Sequence, residues 1–506
     1  MKIKKYILIM LLCAAHNVFA QDTLSLSISD AINMAEEQSI AAFRNKNMYL
    51  VDYWDFKNYQ ALFLPSLNFN SNLVNYQQGN TRQYNSTTKT YEYVPTQDLT
   101  TAIGLDITQN IALTGGSFSV GYDLTRLDNF GDNPYNQFSS VPFSISYRQK
   151  IFGYNSYKWQ RKISPLEFEM AKKEYMYSTE QMYRNVVYYY FNLAQARSNL
   201  EIARQKRDNA DYRYKMGQKK YELGTMVRVD LLDLEVSLKN AEIEVNQKTI
   251  LEEQALMNLN SFLNLKPDTP VKLVFDYDVP EVVLDENEIL QRALENNPDM
   301  LQYKLNLLNA QASLDQAKRN KGFWFDLYVR YGISKIDGGY NPVTSTYEDG
   351  QVGEMFNSPF NRYSQAVVGI SLPIVDWGRR KGTYKIRKAE HEIANSEYEQ
   401  NLQNFRQTVL IMVRQFNLLP ANIESAAVSD KAAEQSYEIY DKYFKKGETD
   451  LIKLMNSITQ RESARVNYLN TLYNYWSSYY NMRMITLYDF VAGKDLETDF
   501  DKLVGK

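Results

Sequence analysis

The sequence predicts a mainly α-helical protein carrying strands of the transmembrane β-barrel type, built from two copies of a helix–strand–strand–long helix–turn–helix unit. Three observations predict it. Proline and glycine number only 13 and 21 in 506 residues, so elements run long without interruption. The chain repeats itself once at nearly fixed offsets. Its strand candidates alternate with period two over bilayer-sized lengths, while no later stretch approaches the ~20 apolar residues of a membrane helix.

Residues 1–20 read as a cleavable export signal. Lys2, Lys4 and Lys5 give a basic start, and Tyr6 to Ala15 give an apolar stretch too short to anchor. Val18-Phe19-Ala20 offers the small-residue exit, with Gln21 as the new N-terminus. Cys13, the single cysteine, lies inside this signal behind Leu12, where a lipid-attachment site wants a small residue. The exported chain then has no thiol, disulfide or cysteine-borne lipid. Losing three of 57 basic residues and none of 60 acidic ones leaves a formal charge of −6. So weak a charge, with no basic block, argues against nucleic acid as a partner. Forty tyrosines suit either helix seams or the aromatic girdles of a membrane barrel, and composition does not choose between them.

The repeat can be followed residue by residue. Ala31-Ile32 and Ala35 fall on Ile289-Leu290 and Ala293 at an offset of 258, which also carries Leu67 and Phe69 onto Phe325 and Leu327. Ser146 and Gly153 fall on Ser371 and Gly378 at 225, then Gly224 on Gly447 and Ala241 on Ala464 at 223. The first copy therefore holds about 33 extra residues between its strands. The first repeat spans 21–275, with helices at 28–62, 155–221 and 226–264 and strands at 66–76, 101–111, 116–126 and 142–151. The second spans 276–490, with helices at 286–320 (broken near Pro298), 379–445 and 449–488 and strands at 323–335 and 364–374. Residues 491–506 form a C-terminal tail. The long helices, interrupted only by Pro165 and Pro420, would each reach about 100 Å if unbroken. Globular domains have no use for such lengths.

Coiled-coil seams mark the helices. Tyr183, Val186, Tyr190, Leu193 and Leu200 keep a four-and-three spacing with Arg197 interrupting, and Leu469, Leu472, Trp476 and Tyr479 repeat it near the C-terminus. The strands have one apolar and one polar face. Phe323, Phe325, Leu327, Val329, Tyr331 and Ile333 alternate with Trp324, Asp326, Tyr328, Arg330 and Gly332. Val368, Ile370 and Leu372 alternate with Val367, Gly369 and Ser371, as Phe143, Ile145 and Tyr147 do with Ser144, Ser146 and Arg148. This pattern fits a lipid-facing wall around a wet lumen, and equally a sandwich edge; the export signal and long helices favour the wall. The extra residues read as a hairpin: Ile103, Leu105, Ile107 and Ile111, a Gly115-Gly116 turn, then Phe118, Val120, Tyr122 and Leu124. It is expected to join the wall or line its rim. Stretches 79–99, 128–141 and 336–362, rich in Asn, Gly, Ser and Tyr, read as outer loops.

At these positions the chain resembles the TolC-like outer-membrane efflux proteins over nearly its whole exported length. Leu64-Pro65-Ser66 enters the first strand, Leu372-Pro373-Ile374 leaves the last, and Asp376-Trp377-Gly378-Arg379-Arg380 opens the long helix. The run from Leu223-Gly224-Thr225-Met226-Val227 to Arg228-Val229-Asp230-Leu231-Leu232 is the most specific mark. The resemblance implies a homotrimer with a shared barrel in the outer membrane and a helical tunnel in the periplasm. It implies that two helix–turn–helix tips meet a periplasmic adaptor, which couples to an inner-membrane pump. The tips hold Gly224, Thr225, Met226 and Val227 in one copy and Gly447, Glu448 and Thr449 in the other. In the family the tunnel narrows near the tips at acidic residues six and nine places after the second glycine. Here those places hold Lys453 and Asn456, and the first copy holds Asp230 and Asp233. Asp230 facing Lys453 across a helix contact would give the aperture a charge lock.

Catalysis finds little footing. His391 is the single histidine outside the signal, beside Glu390 and Glu392 on a long helix, and reads as a surface residue. No phosphate loop, nucleophile motif or metal-ligand spacing occurs, no cofactor is implied, and the 16 methionines are dispersed. Two other readings stay open: a protein-secretion exit duct of the same fold, and a periplasmic coiled-coil adaptor or scaffold.

Overall fold

A computed structural model describes residues 24–85, 88–131, 134–274, 279–280, 282–341, 344, 346–372, 374–446 and 448–505. The export signal expected at 1–20 and the tip glycine Gly447 lie outside the described residues. In the first copy β1 (Leu24–Leu26) leads to helices α1 (Ile28–Gln38) and α2 (Ile40–Ala61). Strands β2 (Ser66–Asn85), β3 (Thr90–Ile111), β4 (Gly116–Asn129) and β5 (Tyr135–Ile151) follow, then α3 (Ser156–Glu222) and α4 (Arg228–Phe262). After β6 (Val271–Leu273) come α5 (Glu286–Asn296), α6 (Pro298–Lys321), β7 (Trp324–Asn341), β8 (Thr346–Glu348) and the short α7 (Val352–Asn357). The second copy closes with β9 (Asn361–Ser371), α8 (Arg379–Lys446) and α9 (Leu451–Thr486). A small hairpin, β10 (Tyr488–Asp489) and β11 (Lys494–Asp495), and α10 (Phe500–Leu503) end the chain, so the expected tail carries structure.

Two compact units result. One comprises Met1–Val51, Met170–Leu301 and Asn401–Lys506 and is helical; the other comprises Asp52–Glu169 and Gln302–Gln400 and holds the large sheet. No described helix is long and apolar enough to cross a membrane.

In the helical unit the first helices start and break alike in both copies. Ser27 caps α1 in a capping box with Asp30, each side chain meeting the other's backbone N–H at 3.1 Å. Its counterpart at offset 258, Asp285, accepts from Asn287 and Glu288 N–H at 3.0 and 2.9 Å. The sequence predicts one unbroken helix over 28–62, and this is corrected: Ser39 is extended (φ −70°, ψ 150°) and its Oγ accepts from Ala42 N–H at 3.0 Å. The same offset places Ser39 on Asn297, which breaks the second copy before Pro298. Serine can break a helix without proline because its hydroxyl recaps the next turn.

The core of this unit gathers one face from each long helix. Val186, Tyr190 and Leu193 of α3 and Val409, Val413 and Phe416 of α8 are all buried. They correspond at a single offset of 223. The segment between the copies is pinned into this core. Tyr190 donates its hydroxyl to Val274 O at 2.6 Å, Tyr475 donates to Pro280 O, and Asn417 exchanges two hydrogen bonds with the Leu284 backbone at 3.0 and 2.9 Å. Buried tyrosines thus serve the helix seams, with the phenol satisfied by a carbonyl in each case. Strands β1 and β6 pair in parallel beside them.

A second feature of this core is ionic. Glu180 of α3, only 3% exposed, receives both Nε and Nη2 of Arg483 of α9 at 2.9 and 2.8 Å. The same guanidinium bonds Asp489 at 2.7 Å. One cation serves two carboxylates in a desolvated place, and burial pushes Glu180 up to about 7.

Candidate functional site

The sheet orders its long strands β2-β3-β4-β5-β7, with β9 on the far side of β7, all antiparallel. Direct partners share a face, so the registers show which residues form each surface. Leu67, Ile107, Val120, Ile145 and Tyr331 pair in one row across five strands. Leu327 and Val329 continue this face onto Val368 and Ala366 of β9. Leu67, Phe69, Ile103, Leu105, Ile107, Val368 and Ile370 are large, apolar and exposed. The opposite face is polar and cross-linked by hydrogen bonds. Asp106 accepts from Asn68 at 3.2 Å and from Asn70, Ser119 meets Ser146 at 2.7 Å, and Arg330 reaches Ser144 and Asp123 at 3.3 and 3.4 Å. Such an apolar exterior opposite a hydrogen-bonded polar face matches lipid on one side and water on the other.

The hairpin expected at 101–126 lies inside this sheet, between β2 and β5. The outer loops expected at 79–99, 128–141 and 336–362 are corrected in extent. Pairing continues from Gly79 with Thr96 to Asn85 with Thr90, from Asn129 with Tyr135, and through Tyr340 with Tyr347. Polar β-formers such as Thr81 and Thr96, whose hydroxyls meet at 3.0 Å, sustain a ladder that hydrophobic alternation does not reveal.

The two helix–turn–helix tips are in the helical unit. At the first, Gly224 takes φ +74°, Gly224 N–H donates to Tyr221 O at 2.9 Å and Thr225 N–H to Lys220 O at 2.8 Å. A Cβ at Gly224 would meet open space, so glycine serves the left-handed turn alone. Behind the tip, a Cβ at Gly217 would come within 2.6 Å of Leu234, so that glycine lets α3 and α4 approach closely. Leu223, Val227 and Val229 are exposed and Met226 is half-buried. At the second tip Glu448 N–H donates to Tyr443 O at 2.9 Å, the counterpart of the Thr225 bond at offset 223. Helix starts differ: Val227 gives α4 no side-chain cap, whereas Asp450 caps α9 by accepting from Lys453 N–H at 2.9 Å.

Asp230 and Asp233 sit in the first turns of α4, Lys453 and Asn456 in those of α9, and all four are exposed. The structure does not bring Asp230 to Lys453 within the protomer. Lys453 Nζ lies 3.9 Å from Asp450 on its own helix. That pairing is local because a cation in a helix's first turn opposes the macrodipole, which the Asp450 carboxylate offsets.

Sequence reading missed a charged cluster further along these helices. Arg461 of α9, almost fully buried, bonds Gln205 of α3 and Glu434 of α8 and lies 3.7 Å over the Tyr437 ring. Neighbouring Glu462 pairs with Lys206 at 2.7 Å, Lys206 also reaches Glu244 of α4 at 3.5 Å, and Arg465 pairs with Asp430 at 3.0 Å. All four long helices are thereby tied together. Arg197, which interrupts the α3 seam, faces Glu252 of α4 at 2.8 Å. The available signal was charge inside an apolar seam.

Residues 114–265 and 289–486 match the model of the outer membrane efflux protein family. The chain belongs to the outer membrane efflux protein family. Both tips and all four aperture candidates lie inside the matched segments. Among curated relatives, "Toxin and drug export protein A" of Aggregatibacter actinomycetemcomitans is 24% identical over 234 residues, covering 46% of each chain. The chain thus spans about half the length of that relative. Outer membrane protein TolC of Escherichia coli is 21% identical over 380 residues, covering 72% of this chain and 73% of TolC. The Campylobacter jejuni CmeC outer membrane channel superposes with a TM-score of 0.63 at 15% identity, covering 94% and 88% of the two chains. The open Neisseria gonorrhoeae MtrE outer membrane channel gives 0.54 at 14%, covering 93% and 91%. This efflux-family fold, a helical part joined to a β part, is therefore the fold of known outer-membrane channels. Among the described residues no group of three His, Cys, Asp or Glu could hold a metal.

Proposed function

We propose that this chain is the outer-membrane channel of a tripartite efflux system in a Gram-negative-type cell. As a homotrimer with a large periplasmic portion, it passes substrates from an inner-membrane pump and periplasmic adaptor to the exterior. The observation that carries the reading is the sheet: an exposed apolar band on a chain none of whose described helices is long and apolar enough to cross a membrane. Outer-membrane fractionation and planar-bilayer conductance test it. The purified protein should fractionate with the outer membrane and conduct as a trimer, and a soluble, non-conducting protein overturns it.

The adaptor contacts are assigned to Gly224, Thr225, Met226 and Val227 and to Gly447, Glu448 and Thr449. Exposed apolar side chains at Leu223 and Val227 support this, since they offer a helical hairpin a surface to bury. Three copies of Asp230 and Asp233, with Lys453 and Asn456, are proposed to border the periplasmic aperture. If Asp230→Ala and Lys453→Ala both leave single-channel conductance unchanged, that assignment fails. The relative named for toxin and drug export favours a second reading, service to a protein-secretion pump through the same channel.

A further inference from the structure

We propose that β9 of one copy pairs with β2 of the next, so that three copies close an eighteen-stranded barrel to which the β3–β4 hairpin contributes six strands. The copy number rests on the trimeric channel reading above; the strand count per copy rests on the sheet.

The hairpin is wall and not appendage. Its Ile107 and Val120 continue the apolar row from Leu67 to Ile145, at the same height on the same face. On the polar face Asp123 of β4 takes Arg330 of β7 across the intervening Ser144, and Asp106 of β3 holds Asn68 of β2. Strands outside the barrel would have no reason to keep the lipid-facing band in register with those inside it.

Both sheet edges are also built for lipid. Leu67, Phe69 and Leu73 on β2, and Val368 and Ile370 on β9, are exposed on strands that, among the described residues, have a neighbour on one side only. A backbone edge in hydrocarbon has no water to satisfy it, so each edge requires a strand. One chain cannot supply it by curling on itself. Eight strands leave an interior just wide enough for side chains to fill, and six would have to enclose Arg148, Tyr328, Arg330 and Tyr363. The partner is therefore another copy. Six alternating strands leave β9 antiparallel to β2, so copies join edge to edge without a parallel pair. At ~4.8 Å between strands and ~40° tilt, eighteen strands span about 36 Å between opposite backbones, against about 24 Å for twelve. The outer opening then belongs to the width class of porins.

Two measurements test this. Electron microscopy of the unaltered protein in lipid discs counts strands and copies directly. In cells, Val368→Cys is combined in turn with Leu67→Cys, Phe69→Cys, Ser71→Cys or Leu73→Cys on β2, or with Val120→Cys on β4. The only native cysteine, Cys13, lies in the predicted signal. The expected result is eighteen strands in a three-copy particle, with dimers and trimers on non-reducing gels from a β2–β9 combination and none from β4–β9. Three copies with twelve strands overturn the inference and leave the channel reading standing. A single-chain particle with the β2–β9 disulfide closed inside one chain overturns both.

Discussion

The two copies agree where helices pack and diverge where strands pair. Buried positions of α3 and α8 correspond at one offset, Val186 with Val409, Tyr190 with Val413 and Leu193 with Phe416. By contrast, the first copy has four long strands and the second has two, besides the short β8. The difference follows from geometry. One residue inserted in a helix turns every later side chain by about 100°, moving the seam off its neighbours. A hairpin inserted in a sheet returns the chain to the same end and leaves the flanking faces unaltered, provided it comes as an even number of strands. The copies also part at one buried position of α4 and α9. Asn260, fully buried, donates to Pro267 O and Thr269 O at 2.9 and 3.0 Å, while its counterpart Arg483 holds Glu180 and Asp489.

This contrast can be broken from the ionic side first. Glu180→Ala leaves a mostly buried guanidinium with one carboxylate, and a loss of about 3–5 kcal/mol is expected in denaturant unfolding of the detergent-solubilised protein. A change below 1 kcal/mol would show that Asp489 alone suffices. The next largest effect is a pH dependence. With Glu180 raised from 4.5 to about 7, folding takes up a proton between those values. Its stability is therefore fullest below about 4.5 and is lost as pH rises through about 7. Between pH 8 and pH 5 the wild type should gain up to about 3 kcal/mol relative to Glu180→Gln. Parallel melting curves for the two proteins would refute this.

On the neutral side, Asn260→Ala strands two carbonyls and should cost about 1–3 kcal/mol, with little pH dependence. The smallest effects belong to the tips. Asp450→Ala should cost about 1 kcal/mol of helix start, and Val227→Asp should return a similar amount to α4. Amide exchange in the first turns of α9 and α4 reads both, and equal protection in the wild type would erase the distinction between the tips.

Much of this was legible because it rests on period. The repeat, the strand faces and the Gly224 turn all follow from spacing within a few residues. The Ser39 break was missed because serine is a weak local signal, although the 258 offset from Asn297 pointed at it. Strand ends past Tyr76 were missed because polar ladders such as Gln77 with Asp98 and Gln78 with Gln97 carry no hydrophobic alternation. Glu180 and Arg483 stand 303 residues apart, and the Arg461 cluster joins four helices; neither has a local signature. The Asp230–Lys453 pairing was expected from the family's aperture positions in a trimer. Within one protomer Lys453 approaches Asp450 of its own helix at 3.9 Å.

The partners of Glu180 also set an order of events in time. Arg483 is made 303 residues after Glu180, with Asp489 just behind it, and until they arrive the first copy's long helix carries a bare carboxylate on the face it must bury. Closing such a core waits for the second copy, since the contact spans more than half of the sequence. That wait keeps the first copy from closing its core alone and makes the two copies interdependent in folding.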